Sequence, residues 1–85
     1  MSDRYDGLPR YKCHKEVCAL KITKVELLIG RLTPTDKLYT PFVPKDRKYF
    51  ERCSVQAGGY YVVYKDGYES FSPAEAFEEG YTLIE

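Results

Sequence analysis

The sequence lacks the long apolar run that a membrane-spanning segment needs. Its longest apolar stretches, residues 25–29 and 60–64, fall far short of the ~20 residues that a bilayer demands. Residues 1–6 include charged side chains and no hydrophobic signal region, so we expect no export and a cytoplasmic location. We also expect no membrane partner.

Net charge is absent as well, because 13 basic and 13 acidic residues balance. The chain therefore has no overall positive electrostatic field that would attract it to nucleic acid. The signs are nevertheless segregated, since residues 66–85 hold six acidic side chains and no basic one. This end of the chain either lies beside the basic N-terminal segments and is neutralised by them, or presents a free acidic surface.

Catalytic groups are scarce. His14 is the one histidine, and the sequence has neither a nucleophile-elbow serine nor a Gly-rich phosphate loop. Gly58-Gly59 precedes a β-rich run and therefore predicts a tight turn. Cys13 and His14 are adjacent, so in a strand they would point to opposite faces and could not form a dyad. We expect a protein that is not an enzyme and that needs no cofactor.

Three cysteines cannot all pair within one chain, and a reducing cytoplasm favours free thiols. Cys13, His14, Cys18 and Cys53 together supply the ligand count of a structural Cys3His zinc site. Their spacing lacks the paired knuckles of such sites, so packing or surface roles are favoured over metal binding. Whether the four residues meet in space is left open by the sequence.

The 85 residues provide for one small domain. Residues 1–11 show no periodicity and predict a flexible leader, and residues 12–85 predict a single α+β domain. Apolar side chains alternate at even positions from 18 to 22 and at odd positions from 25 to 29. This predicts a strand with one inward face, kept inward across the change of parity by a bulge near residues 23–24.

The middle of the chain predicts a loop and then a short helix. Three prolines in residues 33–44 exclude a continuous helix or central strand and allow at most an edge strand. Residues 45–53 predict an amphipathic helix with Tyr49, Phe50 and Cys53 on its inner face. Its outer face is basic and comprises Lys45, Lys48 and Arg52, which either contact phosphate or are simply solvated.

Asp66-Gly67 lies between two β-rich runs and predicts a hairpin with a two-residue type I′ turn. Pairing outward from this turn puts Val63 opposite Ser70 and Val62 opposite Phe71. One face is expected to be core and comprises Tyr60, Val62, Tyr64, Glu69 and Phe71. The other face is expected to be exposed and comprises Tyr61, Val63, Lys65, Tyr68, Ser70 and Ser72.

Two surfaces are candidate binding sites. On the exposed hairpin face, Tyr61, Lys65 and Tyr68 can stack on a planar group and hydrogen-bond to it, although tyrosine is also simply a good strand former. Ser72-Pro73-Ala74-Glu75 has the order of an N-cap, an N1 proline and a capping-box glutamate, and predicts a helix from Pro73 to Glu79 anchored by Phe77. Gly80 ends this helix and residues 81–84 form a closing strand. The acidic surface comprises Glu75, Glu78, Glu79 and Glu85, and can mimic nucleic acid.

The segment GGYYVVYKDGYESFSPAEAFEEGYTLI, residues 58–84, resembles the ending of small, largely uncharacterised proteins encoded by tailed phages and prophages. The upstream segment YKCHKEVCALKI, residues 11–22, resembles the first strand of the same proteins. The resemblance implies a phage-encoded accessory protein in the cytoplasm of a bacterial host. Small phage proteins of this kind often block a host or antiviral-defence protein, or sequester a signalling nucleotide.

Three functions follow as hypotheses. The first is a non-enzymatic binding protein that inhibits a host or antiviral-defence component. The second is a nucleotide-sequestering protein that combines tyrosine stacking with Lys65, Arg47 or Arg52. The third is a structural or assembly protein of the virion. Self-association is a further alternative, because a small chain with an exposed aromatic face can bury it against a second copy.

Overall fold

A computed structural model describes residues 7–12 and 16–83. It confirms the α+β class, with an antiparallel sheet and two short helices. In chain order the elements are β1 (Arg10–Lys12), β2 (Glu16–Glu26), β3 (Arg31–Pro34), α1 (Tyr49–Arg52), β4 (Tyr60–Val63), β5 (Glu69–Ser72), α2 (Ala74–Gly80) and β6 (Thr82–Leu83). Within the described residues, no helix has the length and apolar character needed to cross a membrane.

Strand β2 organises the sheet. The strand order is β5-β4-β2-β1-β6, and β3 pairs with the C-terminal half of β2. The register between β2 and β3 shifts between Ile22 and Lys24. This shift confirms the predicted bulge, which the change of apolar parity in this strand requires.

Strand β1 begins two residues before the predicted start of the domain, so Arg10 and Tyr11 belong to the sheet and not to a leader. Arg10 pairs with Cys18 in the β1–β2 register, and the Ala19 N–H donates to the Pro9 carbonyl at 2.8 Å. The Tyr11 ring packs edge-on against Phe77, with ring centroids 4.7 Å apart. The side chain of Tyr11 thus contributes to the core.

Strand β2 ends at Glu26, which pairs with Arg31, and residues 27–30 form the turn between them. Val25 is half-buried, whereas Leu27 and Ile29 are exposed. The expectation that the odd-numbered apolar residues stay inward to residue 29 is therefore wrong beyond Val25. The chain reverses at this point, so the turn residues have no sheet neighbour to cover them.

The sheet carries a core on each face. The first core comprises Cys18, Leu20, Ile22, Leu32, Tyr49, Tyr61 and Val63. The second core comprises Val17, Ala19, Tyr60, Val62 and Phe77. Tyr49 belongs to α1 and Phe77 to α2, so the two helices cover opposite faces. Strands covered on both faces bury successive residues rather than alternate ones, as β4 does along its whole length.

The β4–β5 hairpin differs from the predicted one by one residue of register. Val62 pairs with Ser70 and Val63 with Glu69. The loop between them is closed by the Gly67 N–H, which donates to the Tyr64 carbonyl at 2.8 Å, and Gly67 has a φ of 91°. A type I′ turn needs positive φ at both central residues, but among the described residues only glycines have positive φ. Asp66 does not have the positive φ that the first central residue of a type I′ turn needs. The hairpin therefore forms a longer loop with Gly67 at its end.

Helix α1 is shorter than the predicted span of residues 45–53, but its predicted inner face is confirmed. Tyr49 is buried, and Phe50 and Cys53 pack against the first core. Helix α2 starts one residue later than predicted, with Pro73 at its N-cap and no side-chain cap. The predicted capping box is wrong because Ser72 is held in β5, where it pairs with Tyr60.

The Gly58-Gly59 turn is confirmed, and it packs tightly against β5. Gly58 has a φ of 96°, and its N–H donates to the Ile22 carbonyl at 2.6 Å. A Cβ atom at Gly59 would lie 2.3 Å from the Phe71 ring and 2.7 Å from the Ser72 carbonyl oxygen. Glycine at position 59 thus lets the turn approach the backbone of the neighbouring strand.

Candidate functional site

An open cleft lies beside the β4–β5 loop. Its volume is about 740 Å³, within the range of small-ligand sites. The described residues that line this cleft are Glu16, Tyr64, Lys65, Asp66 and Tyr68. We call this feature the tyrosine cleft. It contains two of the residues that the sequence singled out for binding, Lys65 and Tyr68.

Local hydrogen bonds hold the loop that forms the cleft. The Tyr68 N–H donates to the Asp66 carboxylate at 3.0 Å, and the Tyr64 N–H donates to the Tyr68 carbonyl at 3.0 Å. The Tyr64 ring is half-buried against the second core, whereas Tyr68 is 52% exposed. Their ring centroids are 5.8 Å apart at an interplanar angle of 56°. The cleft thus presents two tilted aromatic rings on a fixed loop.

Arg52 of α1 fixes the exposed Tyr68 ring. Its guanidinium carbon lies 4.9 Å from the centre of that ring, and Nη1 donates to the Tyr68 hydroxyl at 2.9 Å. The same guanidinium donates to the Asp46 carboxylate, with Nε at 2.9 Å, and to the Glu69 carbonyl at 3.0 Å. Hydrogen bonds from the Lys48 N–H and from Arg52 hold the pKa of Asp46 below its usual value. Arg52 is thus committed to contacts within the chain.

A buried carboxylate ties α1 to the hairpin. Glu69 is 3% exposed, and its side chain accepts the N–H groups of Lys45 at 2.9 Å and Asp46 at 2.6 Å. It also accepts the hydroxyl of Tyr61. Nearby, the Tyr49 hydroxyl donates to the Ser70 carbonyl at 2.8 Å, and burial raises the pKa of Tyr49. These contacts hold the segment before α1 against β5, and so place Arg52 beside the cleft.

The cleft carries mixed charge. Glu16 is paired with Arg10 at 2.9 Å, and Lys65 is exposed. Because Arg10 neutralises Glu16, the remaining charges of the described lining are the carboxylate of Asp66 and the ammonium group of Lys65. Aromatic faces attract cations, and carboxylates pair with them, so this combination suits a side chain with a basic end better than a phosphate group.

The structure separates the residues of the predicted hairpin surface. Lys65 and Tyr68 line the cleft, but Tyr61 is fully buried in the first core. The expectation of an exposed face containing Tyr61 is wrong, because the segment around α1 covers that side of the sheet. Tyr64, which the sequence placed in the core, is half-buried and lines the cleft. In the sequence, its position directly before the Lys65-Asp66-Gly67 turn is the feature that could have indicated partial exposure.

The predicted acidic residues lie on α2, which covers the other face of the sheet. Glu75, Glu78 and Glu79 are all exposed, and Glu85 lies outside the described residues. Glu78 accepts the hydroxyl of Tyr60 at 2.8 Å and pairs with Lys21 at 3.3 Å. One of the three helix carboxylates is therefore neutralised by a basic residue from the earlier part of the chain, as one of the two charge interpretations expects.

Removing the Glu78 carboxylate should change how stability depends on pH. The Tyr60 hydrogen bond, followed by Lys21, lowers the pKa of Glu78 below its ordinary 4.5. A lowered pKa in the folded state stabilises the fold above about pH 4.5, and this contribution disappears as the pH falls through the folded-state value. We expect Glu78→Gln to lose stability near neutral pH, and the difference from the wild type to shrink in acid. Urea unfolding at several pH values measures this.

Glu75→Gln is the matched control, because the Glu75 carboxylate forms no ion pair with a described residue. Its stability should follow the wild-type curve throughout the same pH range. If Glu78→Gln shows the same pH dependence as the wild type, the contacts with Tyr60 and Lys21 do not stabilise the charged carboxylate.

The proposed Cys3His set falls partly outside the described residues, because Cys13 and His14 lie there. Cys18 is buried in the first core, and Cys53 is half-buried against the same core. Burial raises the pKa of Cys53, so the thiol form is favoured. Within residues 7–12 and 16–83, no three His, Cys, Asp or Glu side chains are grouped to hold a metal ion.

Comparison with known proteins adds no further residue to the site. The chain matches no protein-family model, no curated protein and no solved structure.

Proposed function

We propose that this chain is a non-enzymatic binding protein that uses the tyrosine cleft to occupy the surface of a partner protein. The observation that carries the proposal is Tyr68, a half-exposed ring held by Arg52 through both its face and its hydroxyl. Tyrosine and arginine dominate the binding energy of many protein interfaces. A ring that is already fixed loses little conformational freedom on binding, so more of its contact energy becomes affinity.

The lining favours a basic side chain of the partner as the group that enters the cleft. A lysine or arginine can lie over the Tyr64 and Tyr68 rings while its charge faces Asp66. Lys65, at the edge, is available to a carbonyl or carboxylate of the same partner. Arg52 is already bonded to Asp46 and is not needed for this contact.

The resemblance to phage-encoded accessory proteins supplies the class of partner. On this basis the partner is a host or antiviral-defence protein in the bacterial cytoplasm, and binding blocks its activity. Such a function requires a surface complementary to the partner but no catalytic residues. A cleft formed by aromatic rings and isolated charges agrees with this requirement.

Truncating the exposed ring tests the proposal. Partners are captured from host cells with the tagged wild-type chain, identified, and titrated calorimetrically against the wild type and Tyr68→Ala. We expect the substitution to lower affinity by about 30-fold, close to the 2 kcal/mol loss of an interface anchor. Tyr68→Phe keeps the ring and should retain most of the affinity.

Lys37→Ala is a control, since Lys37 is exposed and does not line the cleft. Unfolding curves of every variant establish that the fold is intact. Full affinity in Tyr68→Ala would contradict the cleft as the site. If charge reversal at Glu75 and Glu79 abolished binding instead, the acidic surface on α2 would be the interface.

A second candidate is nucleotide sequestration, which the paired Tyr64 and Tyr68 rings and the nearby Lys65 favour. A base can stack on such rings. The Asp66 carboxylate opposes the phosphates, and Arg52 is already bonded to Asp46, so this candidate is the weaker one. It expects nucleotides to raise the Tm of the wild type and not of Tyr68→Ala, and an unchanged Tm across a nucleotide panel contradicts it.

A further inference from the structure

One ring of the tyrosine cleft already has a cation beside it. The Arg52 guanidinium carbon lies 4.9 Å from the centre of the Tyr68 ring, and Nη1 donates to the Tyr68 hydroxyl at 2.9 Å. A second cation within the roughly 6 Å that ring contacts span would lie at most about 11 Å from this guanidinium carbon. Like charges at that distance repel each other, so the cleft accepts a basic side chain only if the charge of Arg52 is offset.

The Asp46 carboxylate offsets this charge. Its Oδ2 accepts hydrogen bonds from two nitrogens of Arg52, with Nε at 2.9 Å and Nη2 as the second donor. Hydrogen bonds between two charged groups are stronger than those between neutral ones. Arg52 also donates to Glu69, but to its backbone carbonyl, because the Glu69 carboxylate accepts the N–H groups of residues 45 and 46. Among the described residues, the carboxylate that bonds to Arg52 is therefore that of Asp46.

Backbone hydrogen bonds hold Asp46 in this position. Its Oδ1 accepts the N–H of Lys48 at 2.9 Å, and its own N–H donates to the Glu69 carboxylate at 2.6 Å. The Lys48 N–H, followed by Arg52, lowers the pKa of Asp46 below its ordinary 3.8, so the side chain is charged at neutral pH. Asp46 is not among the described residues that line the cleft, and it reaches the Tyr68 ring only through Arg52.

We propose that Asp46 is a positioning residue that sets the charge preference of the tyrosine cleft, because its carboxylate neutralises Arg52 and lets a second cation approach the Tyr68 ring. Asp46 has this role only if the cleft takes a basic side chain, so the inference rests on the proposed function. With Asp46 in place, the charges left in the described lining are those of Asp66 and Lys65. Without it, Arg52 adds an unpaired positive charge beside the ring, and the balance moves against a cation.

Asp46→Asn tests the inference because it removes the charge and keeps the other contacts. Asparagine retains an oxygen for the Lys48 N–H, and the hydrogen bond to Glu69 comes from the backbone. The probes are two blocked peptides, acetyl-Gly-Arg-Gly-amide and the same peptide with citrulline, the uncharged analogue of arginine. Binding is followed by the backbone amide NMR shifts of residues 65–68, at about 10 mM ionic strength, where the Debye length is about 30 Å.

We expect the wild type to bind the arginine peptide more tightly than the citrulline peptide. Asp46→Asn should lower this preference about fivefold, by weakening the binding of the arginine peptide and leaving that of the citrulline peptide nearly unchanged. Arg52→Gln should raise the preference, because it leaves the Asp46 carboxylate unpaired near the ring. An equal loss for both peptides in Asp46→Asn would mean that Asp46 affects only the shape of the cleft, and would overturn the inference. A lower preference in Arg52→Gln would overturn it as well.

Asp36→Asn is the matched control. Asp36 accepts the N–H of Leu38 at 2.9 Å, two residues further on, just as Asp46 accepts that of Lys48. Asp36 forms no ion pair with a described residue and is not among the described residues that line the cleft. Asp36→Asn should therefore keep the wild-type preference for the arginine peptide.

Tyr68→Ala separates the inference from the proposed function. If this variant loses peptide binding while Asp46→Asn keeps the wild-type preference, the inference is overturned and the proposed function stands. If the wild type does not bind the arginine peptide, the inference is also overturned, and the titration of the captured partner against Tyr68→Ala still decides the proposed function. Full partner affinity in Tyr68→Ala contradicts the proposed function, and the inference then fails with it.

Discussion

Glu69→Ala should lower the free energy of unfolding by about 3–5 kcal/mol, because it removes the charged acceptor of one buried and two part-buried hydrogen bonds. The donors left behind are the N–H groups of Lys45 and Asp46 and the hydroxyl of Tyr61. The side chain is 3% exposed, so water cannot readily replace the lost contacts. Domains of this size have roughly 4–13 kcal/mol of total stability, so the loss is a large fraction of it. Urea denaturation followed by circular dichroism measures the change.

Two further variants keep this expectation testable if Glu69→Ala does not fold. Glu69→Gln retains one acceptor oxygen and should be destabilised by less than the alanine variant. Tyr61→Phe removes a single hydrogen bond and should cost about 1–3 kcal/mol. Glu75→Ala, on exposed helix surface, should be close to the wild type. A loss below about 1 kcal/mol in Glu69→Ala would mean that the three contacts contribute little to stability.

The second large effect is expected at Phe77, the centre of the aromatic cluster beneath α2. Its ring stacks on Tyr60 and Tyr81, with centroids 4.2 and 4.5 Å away, and meets Tyr11 edge-on. Phe77→Ala opens a cavity at a site that is almost completely buried. We expect a cost of about 3–5 kcal/mol, which corresponds to a fall in Tm of at least about 12 °C. Thermal unfolding followed by circular dichroism gives this value.

Phe77→Leu is the companion variant, since it preserves most of the buried volume and loses only the stacking. Its cost should be near 1 kcal/mol, the value of aromatic pairs beyond their buried area. Equal losses in the alanine and leucine variants would show that ring stacking, and not filled volume, is the main contribution of Phe77. An unchanged Tm in Phe77→Ala would mean that α2 does not depend on this anchor.

Much of the fold could be predicted because it depends on neighbours in the chain. The change of apolar parity after Ile22 requires a bulge wherever one face is buried, and the structure has it between Ile22 and Lys24. The inner face of α1 follows from the spacing of Tyr49, Phe50 and Cys53. Phe77 is the anchor of α2, as its lone aromatic ring in an acidic helix indicates.

The errors concern the hairpin loop, the start of α2 and the contacts between distant segments. A type I′ turn and a longer loop with a final glycine both fit Asp66-Gly67, and they differ by one residue of register. That one residue decides which side chains of β4 and β5 share a face. The burial of Tyr61 depends further on the segment around α1, which covers a sheet face that the hairpin sequence by itself leaves open.

The candidate sites also have some features that the sequence could predict and others that it could not. The sequence could predict that Lys65 and Tyr68 lie close together, because they flank a turn. The fixed orientation of the Tyr68 ring could not be predicted, because it depends on Arg52 of α1, which is 16 residues away in the chain. The exposure of Leu27 and Ile29 could not be predicted either, since their alternation is equally typical of a buried strand.

The sequence by itself determined the α+β class, the bulge in β2 and the anchors of both helices, because each depends on the periodicity of nearby side chains. Only the tertiary structure decided the hairpin register, the burial of Tyr61 around the Glu69 carboxylate and the exposure of Leu27, Leu28 and Ile29. These depend on which face each distant segment covers. Local conformational preferences do not determine which face is covered. The packing of the two cores determines it.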